Sequence, residues 1–104
     1  MITVAYDGEY SLSINGHAGQ AAHGKDVVCA GASVLLYSLA EYLESNRERC
    51  EGLEILLKSG VGRVVAHPTT DFAKEAHAAF FTAIAGYRHL ANSFPEYIRF
   101  TDCR

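Results

Sequence analysis

The chain has 104 residues, of which 49% are apolar, 20% are charged and only 2 are proline. That is enough for one compact core and excludes a disordered or low-complexity chain. Nine basic against twelve acidic residues leave a net charge of −3, which excludes the clustered basic surface that non-specific nucleic-acid binding needs. No direct nucleic-acid partner is therefore expected. The acidic residues Glu41, Glu44, Glu48, Glu51 and Glu54 cluster and read as a solvated helix end and loop. No apolar stretch approaches the roughly 20 residues that cross a bilayer. The longest, Val27 to Leu39, is interrupted by Ser, Gly and Tyr, so no membrane partner is expected. Met1-Ile2-Thr3-Val4 carries neither a basic region nor a signal-peptide core, and the expected location is the cytoplasm. The odd set Cys29, Cys50 and Cys103 suits free thiols in a reducing compartment better than a disulfide framework.

In chain order, Met1 to Tyr6 is short and β-branched, Asp7-Gly8 is a turn, and Tyr10 to Ile14 alternates; together these predict a hairpin. Asn15-Gly16 ends the second strand. Gly16 to Lys25 holds three glycines and two histidines without a period and reads as a loop. Asp26 is a helix N-cap. Behind it Val28, Ala32, Leu35, Leu36, Leu39 and Leu43 form an apolar stripe, and the helix fades over Glu44 to Glu48. Leu53 to Lys58 and Val61 to Ala66 are two strands joined at Ser59-Gly60. Pro68-Thr69-Thr70-Asp71 starts a second helix, with Thr as its cap and Phe72, Ala76, Phe80, Ile84, Tyr87 and Ala91 as its stripe. Gly86 should weaken that helix by up to about 1 kcal/mol. Phe94-Pro95 stops it, and Tyr97 to Thr101 is a last strand. The order ββαββαβ predicts one α+β domain over residues 1–104, with two helices and a small, mostly antiparallel or mixed sheet.

With Asp26 as N-cap, Cys29 falls in the first helical turn. There unpaired backbone N–H groups and the positive end of the helix dipole favour a thiolate. A buried, inert thiol is the competing reading. Eleven residues separate His17, between Gly16 and Ala18, from Cys29, and a loop of that length can return an imidazole to the helix start. Ser33 lies one turn beyond Cys29 on the same face. It would bond either to the imidazole or substrate, or back to the Cys29 carbonyl. Asp26 is read as a cap, with orientation of His17 as the sharper alternative. His23 shares the loop and is a candidate for substrate contact. His67, His77 and His89 carry little signal, and Cys50 and Cys103 read as bystanders. No paired Cys/His spacing suggests a metal, and Gly16, Gly19 and Gly24 do not follow a phosphate-loop pattern; no cofactor is expected.

Gly16-His17-Ala18-Gly19, then Gly24-Lys25-Asp26-Val27-Val28-Cys29-Ala30, then Ser33, resemble the ribosomal-processing cysteine protease family Prp, also called YsxB-like. The resemblance is dense over residues 15 to 33 and looser over the rest. It implies an α+β, homodimeric, bacterial cytoplasmic endopeptidase that removes a short N-terminal extension from a large-subunit ribosomal protein. It implies Cys29 as nucleophile and His17 as general base, with Gly16, Asp26 and Ser33 in supporting or substrate-positioning roles. It further implies a mobile lid made of Gly19, Gln20, Ala21, Ala22, His23, Gly24 and Lys25. Gln20 to His23 departs from a usually more aromatic and acidic stretch, and Gly31-Ala32 replaces larger apolar residues of the pocket wall. On the protease reading, amides at the helix start would serve as oxyanion donors. The alternatives are a non-catalytic protein-binding relative, a phage-associated paralogue with another protein substrate, or a thiol redox sensor; the last wants a resolving cysteine, and none is close in sequence.

Overall fold

The fold is that of a computed structural model that describes residues 1–19, 21 and 26–103. Strands β1 (Ile2–Tyr6) and β2 (Ser11–Asn15) form the first hairpin. Helix α1 (Val27–Ser45) follows, then a 3-10 turn at Arg47–Arg49 and the long hairpin β3 (Cys50–Lys58) and β4 (Val61–Pro68). A 3-10 turn at Thr70–Phe72 leads into α2 (Ala73–Ser93), and β5 (Ile98–Asp102) closes the domain. The expected ββαββαβ order is therefore the observed one.

The sheet order is β3-β4-β2-β1-β5. All neighbouring pairs are antiparallel except β1 with β5, which is parallel, so the sheet is mixed. Register places Ile98, Ile2, Val4, Tyr6, Leu12, Val64 and Ala66 on one side, and all seven are buried. Thr3, Glu54, Arg63 and Arg99 alternate to the other side and are exposed. Both helices cover the apolar side. Their stripes, Val28, Ala32, Leu36, Leu39 and Leu43 on α1 and Ala76, Phe80, Ile84 and Tyr87 on α2, are buried against it. The buried Tyr87 hydroxyl donates to the Ala32 carbonyl at 2.7 Å and ties the helices together.

Several local expectations change. Tyr10 adopts a left-handed φ of 58° and belongs to the turn, so β2 starts at Ser11. β3 begins at Cys50 rather than Leu53, with an irregularity between Cys50 and Gly52. Neither Thr69 nor Thr70 caps α2: Thr69 makes no side-chain cap bond, and a 3-10 turn intervenes. Leu35 and Ala91 are only half-buried. Gly86 has a packing role: a β-carbon there would come 2.6 Å from Leu35 Cδ2, so its lack of a side chain lets the two helices approach. Contrary to the expectation from the interrupted run Val27 to Leu39, α1 is long and apolar enough, by length and composition, to cross a membrane. Its buried stripe makes it a core helix of this domain. The five clustered glutamates are exposed, but Glu51 and Glu54 lie on β3 rather than in a loop.

Candidate active site

The site is built where α1 begins. Asp26 is the N-cap, as expected, and is 7% exposed. Its Oδ1 accepts the backbone N–H groups of Val28 and Cys29, each at 3.0 Å, and Oδ2 accepts from the Ala21 N–H at 3.4 Å. The cap fixes the first turn and with it the half-buried Cys29. It also corrects one expectation. The Val28 and Cys29 amides are already given to the Asp26 carboxylate, so they are not free to receive an oxyanion. The amide that faces the sulfur comes from the segment after β2: Ala18 N–H donates to Cys29 Sγ at 3.3 Å.

His17 is the second residue after β2. The Gly16 N–H donates to the Gly60 carbonyl at 2.8 Å, and the His17 carbonyl accepts from the Met1 amino group at 2.7 Å. Gly16 has φ +97°, and a β-carbon there would lie 2.3 Å from the Met1 carbonyl oxygen. Only glycine fits both the conformation and the space. The result is that residues 16 to 18 run past the start of α1 and deliver an exposed imidazole into the same cleft as Cys29. Among the described residues, no hydrogen bond joins the His17 ring to Cys29. The ring instead lies against the β3–β4 turn at Gly60.

The cleft has a volume of about 280 Å³. One wall is a single face of α1, with Cys29, Ser33 and Tyr37 at successive turns; the other is the tip of the β3–β4 hairpin from Leu57 to Gly62. A second hollow, beside Gly19, Ala21 and Asp26, shares His17, Cys29, Ser33 and Ser59 with the first. The sulfur therefore sits between two open spaces, a shape that admits a chain running past it. Ser38 and Thr82 bond back to backbone carbonyls four residues earlier, at 2.7 and 2.8 Å. Among the described residues, Ser33 makes no such bond back to Cys29, and it lines both hollows.

Ser59 and Gly60 appear in the sequence only as a turn, and Leu57 and Tyr37 carry no signal on their own. The spacing 29, 33, 37 would have found Tyr37; the hairpin tip needed the strand register. Ala32 lines the cleft, but Gly31 faces Leu90, 3.3 Å from where its β-carbon would be, and so is not pocket wall. Of the expected lid, only Gly19 and Ala21 are described; Gln20, Ala22, His23, Gly24 and Lys25 lie outside the described residues. His67 packs beside Gly52, and His77 stacks on Phe81 at 4.3 Å. Among the described residues, no three His, Cys, Asp or Glu side chains gather as metal ligands.

Comparison with known proteins agrees with the fold. The chain superposes on the ribosomal processing protease Prp from S. aureus in complex with a covalently linked product peptide, with a TM-score of 0.79 at 24% identity, covering 98% of this chain and 99% of that one. The S. aureus protease with a substrate peptide gives 0.72 at 23% identity, with the same coverage. SMU.848 from Streptococcus mutans gives 0.70 at 24% identity, covering 97% and 90%. At such identities these likenesses establish the fold. No curated protein sequence matches significantly. The model of the cysteine protease Prp family matches residues 1–99, and the chain belongs to that family of cysteine proteases.

Proposed function

We propose that the chain is an endopeptidase with Cys29 as nucleophile and His17 as general base, and that it removes a short N-terminal extension from a large-subunit ribosomal protein. The observation that carries the assignment is the Ala18 N–H directed at Cys29 Sγ at 3.3 Å, on a loop that also brings His17 into the cleft. Substrate lies extended between α1 and the β3–β4 hairpin, across the sulfur. The His17 imidazole takes the Cys29 proton, and the sulfur attacks the scissile carbonyl carbon. A C–S bond forms as the carbonyl π-bond opens; collapse breaks the C–N bond, and the imidazolium gives its proton to the leaving amine. Water, deprotonated by His17, then cleaves the thioester and releases the carboxylate product. The Ala18 amide meets negative charge at the reacting centre. Gly16 shapes the loop, Asp26 fixes the nucleophile's turn, and Ser33 presents a hydroxyl to substrate or imidazole. The S. aureus relative, a ribosomal processing protease bound to substrate and product peptides, supports a peptide substrate of this kind. A homodimer working in the bacterial cytoplasm completes the reading.

The test uses purified protein and a fluorogenic peptide copied from the N-terminal extension of the source organism's ribosomal protein. Cleavage is expected to vanish in Cys29→Ala and in His17→Ala while circular dichroism stays that of the parent. Normal cleavage by either variant overturns the assignment.

A further inference from the structure

The His17 ring rests against the turn between β3 and β4. The residue there is Gly60, with φ +77°. A β-carbon built on it would lie 2.8 Å from His17 Nε2, 3.4 Å from Cε1 and 3.5 Å from Cδ2. The imidazole edge farthest from the backbone, the part able to reach a neighbouring sulfur, is thus the part that fills the space of the missing side chain.

Neither backbone is free to draw back. The Gly60 carbonyl accepts the Gly16 N–H at 2.8 Å, which ties the turn to the residue before the histidine. The His17 carbonyl is held by the Met1 amino group at 2.7 Å, and the Ala18 N–H by Cys29 Sγ at 3.3 Å. Three successive residues are pinned, and the turn is pinned to the first of them. Only the imidazole, through its two side-chain torsions, can yield to an atom added at position 60.

We infer that Gly60 is a positioning residue for the base: its bare α-carbon leaves the space that the His17 ring occupies in the cleft it shares with Cys29. The inference rests on the roles proposed above for those two residues. It separates cleanly from a purely conformational task. A glycine needed only for its positive φ is replaceable by asparagine, which tolerates the left-handed region. At Gly60 an asparagine satisfies the backbone and still places a β-carbon against the ring.

Gly60→Asn, with Gly60→Ala beside it, is compared with the parent on the same fluorogenic peptide. The readouts are kcat, KM, the pH profile of kcat, the His17 Cε1–H resonance by NMR, and thermal unfolding. Gly60→Asn is expected to fold as the parent does, with kcat reduced roughly tenfold to a hundredfold, the loss seen when a reacting group is misplaced by about 1 Å. KM should change little, while the His17 resonance and the low-pH limb of kcat move together. Parental kcat in Gly60→Asn overturns the inference, and so does a loss of kcat with the His17 resonance unmoved. Normal cleavage by His17→Ala, in contrast, removes the assignment of the base itself.

Discussion

Leu35 on α1 fits so closely over Gly86 on α2 that a β-carbon on the glycine would come within 2.6 Å of Leu35 Cδ2, 2.8 Å of Cδ1 and 3.2 Å of Cγ. Two opposing effects meet at this pair. Alanine in a helix interior gains about 1 kcal/mol over glycine, whereas an added methyl in a filled contact costs about 1–3 kcal/mol. The whole branched end of Leu35 would have to move, so the second effect wins. Gly86→Ala is expected to lower stability by about 1 kcal/mol, a fall in Tm of about 4–8 °C for a domain of this size. With Leu35→Ala already present, the same change becomes stabilising, a coupling that a double-mutant cycle reads directly. A stabilising Gly86→Ala in the parent would show that the contact is loose.

Gly16→Ala meets a harder obstacle. Its β-carbon would stand 2.3 Å from the Met1 carbonyl oxygen, a backbone atom, at a φ of +97°. The left-handed conformation alone costs about 1–2 kcal/mol for an L-residue. Urea unfolding is expected to give a total loss above about 2 kcal/mol, with cleavage reduced beyond what the unfolded fraction accounts for because His17 is carried along. A variant as stable as the parent contradicts the described backbone.

Asp26 allows capping to be separated from charge. Its Oδ1 satisfies the Val28 and Cys29 amides at 3.0 Å each. Asp26→Ala should cost about 1–2 kcal/mol, the upper part of the range for a lost N-cap. Asp26→Asn retains an acceptor and should recover most of that stability. Cleavage should follow the same order, since the cap is what fixes the turn bearing Cys29. If Asn proves as damaging as Ala, the carboxylate charge rather than the cap is the source of the effect.

The elements legible in the sequence are those whose partner is set by local periodicity. The stripes Val28 to Leu43 and Phe72 to Tyr87 and the alternation in Ser11–Asn15 name their own buried faces. The local part of the site, Asp26 capping the turn of Cys29, is legible for the same reason. Where two distant segments decide the outcome, local reading fails. Ser59-Gly60 reads as a bare turn, because only the register of β2 against β4, with Asn15 opposite Val61, brings that turn beside His17. Gly86 reads as a helix weakness because its partner Leu35 lies in another element. The Thr69 cap fails because the chain first makes a 3-10 turn at Thr70–Phe72, whose last residue is buried in the core.

The three thiols should separate on alkylation. Burial pushes the Cys50 thiol above its ordinary range, with Arg47 opposing that shift. Only the thiolate reacts, so Cys50 is expected to be slow with iodoacetamide near neutral pH and to speed up on the alkaline side of an ordinary thiol. Cys29, with the Ala18 N–H at its sulfur and His17 in the same cleft, should label first. Mass spectrometry after partial labelling at pH 6.5 gives the order. Preferential labelling of Cys50 under those conditions would contradict both statements.

The Tyr87–Ala32 bond makes an alkaline prediction with a definite sign. Burial raises the Tyr87 pKa in the folded protein, opposed by the Leu36 backbone N–H. The phenol of an unfolded chain titrates near its ordinary value of about 10. A group whose folded pKa is raised contributes stability that is complete below the unfolded pKa and is lost as pH rises towards the folded one. Above about pH 10 the unfolded chain sheds the Tyr87 proton while the folded chain keeps it, so stability falls by up to about 1.4 kcal/mol per pH unit. Tyr87→Phe removes this titration and also the 2.7 Å hydrogen bond to Ala32, worth about 0.5–1.5 kcal/mol. The parent should therefore be the more stable protein at pH 8, and the difference should close by about pH 11. Urea unfolding at pH 8, 10 and 11 measures it. A difference that stays constant across those values would mean that the phenol titrates alike in both states and that its burial does not hold the proton.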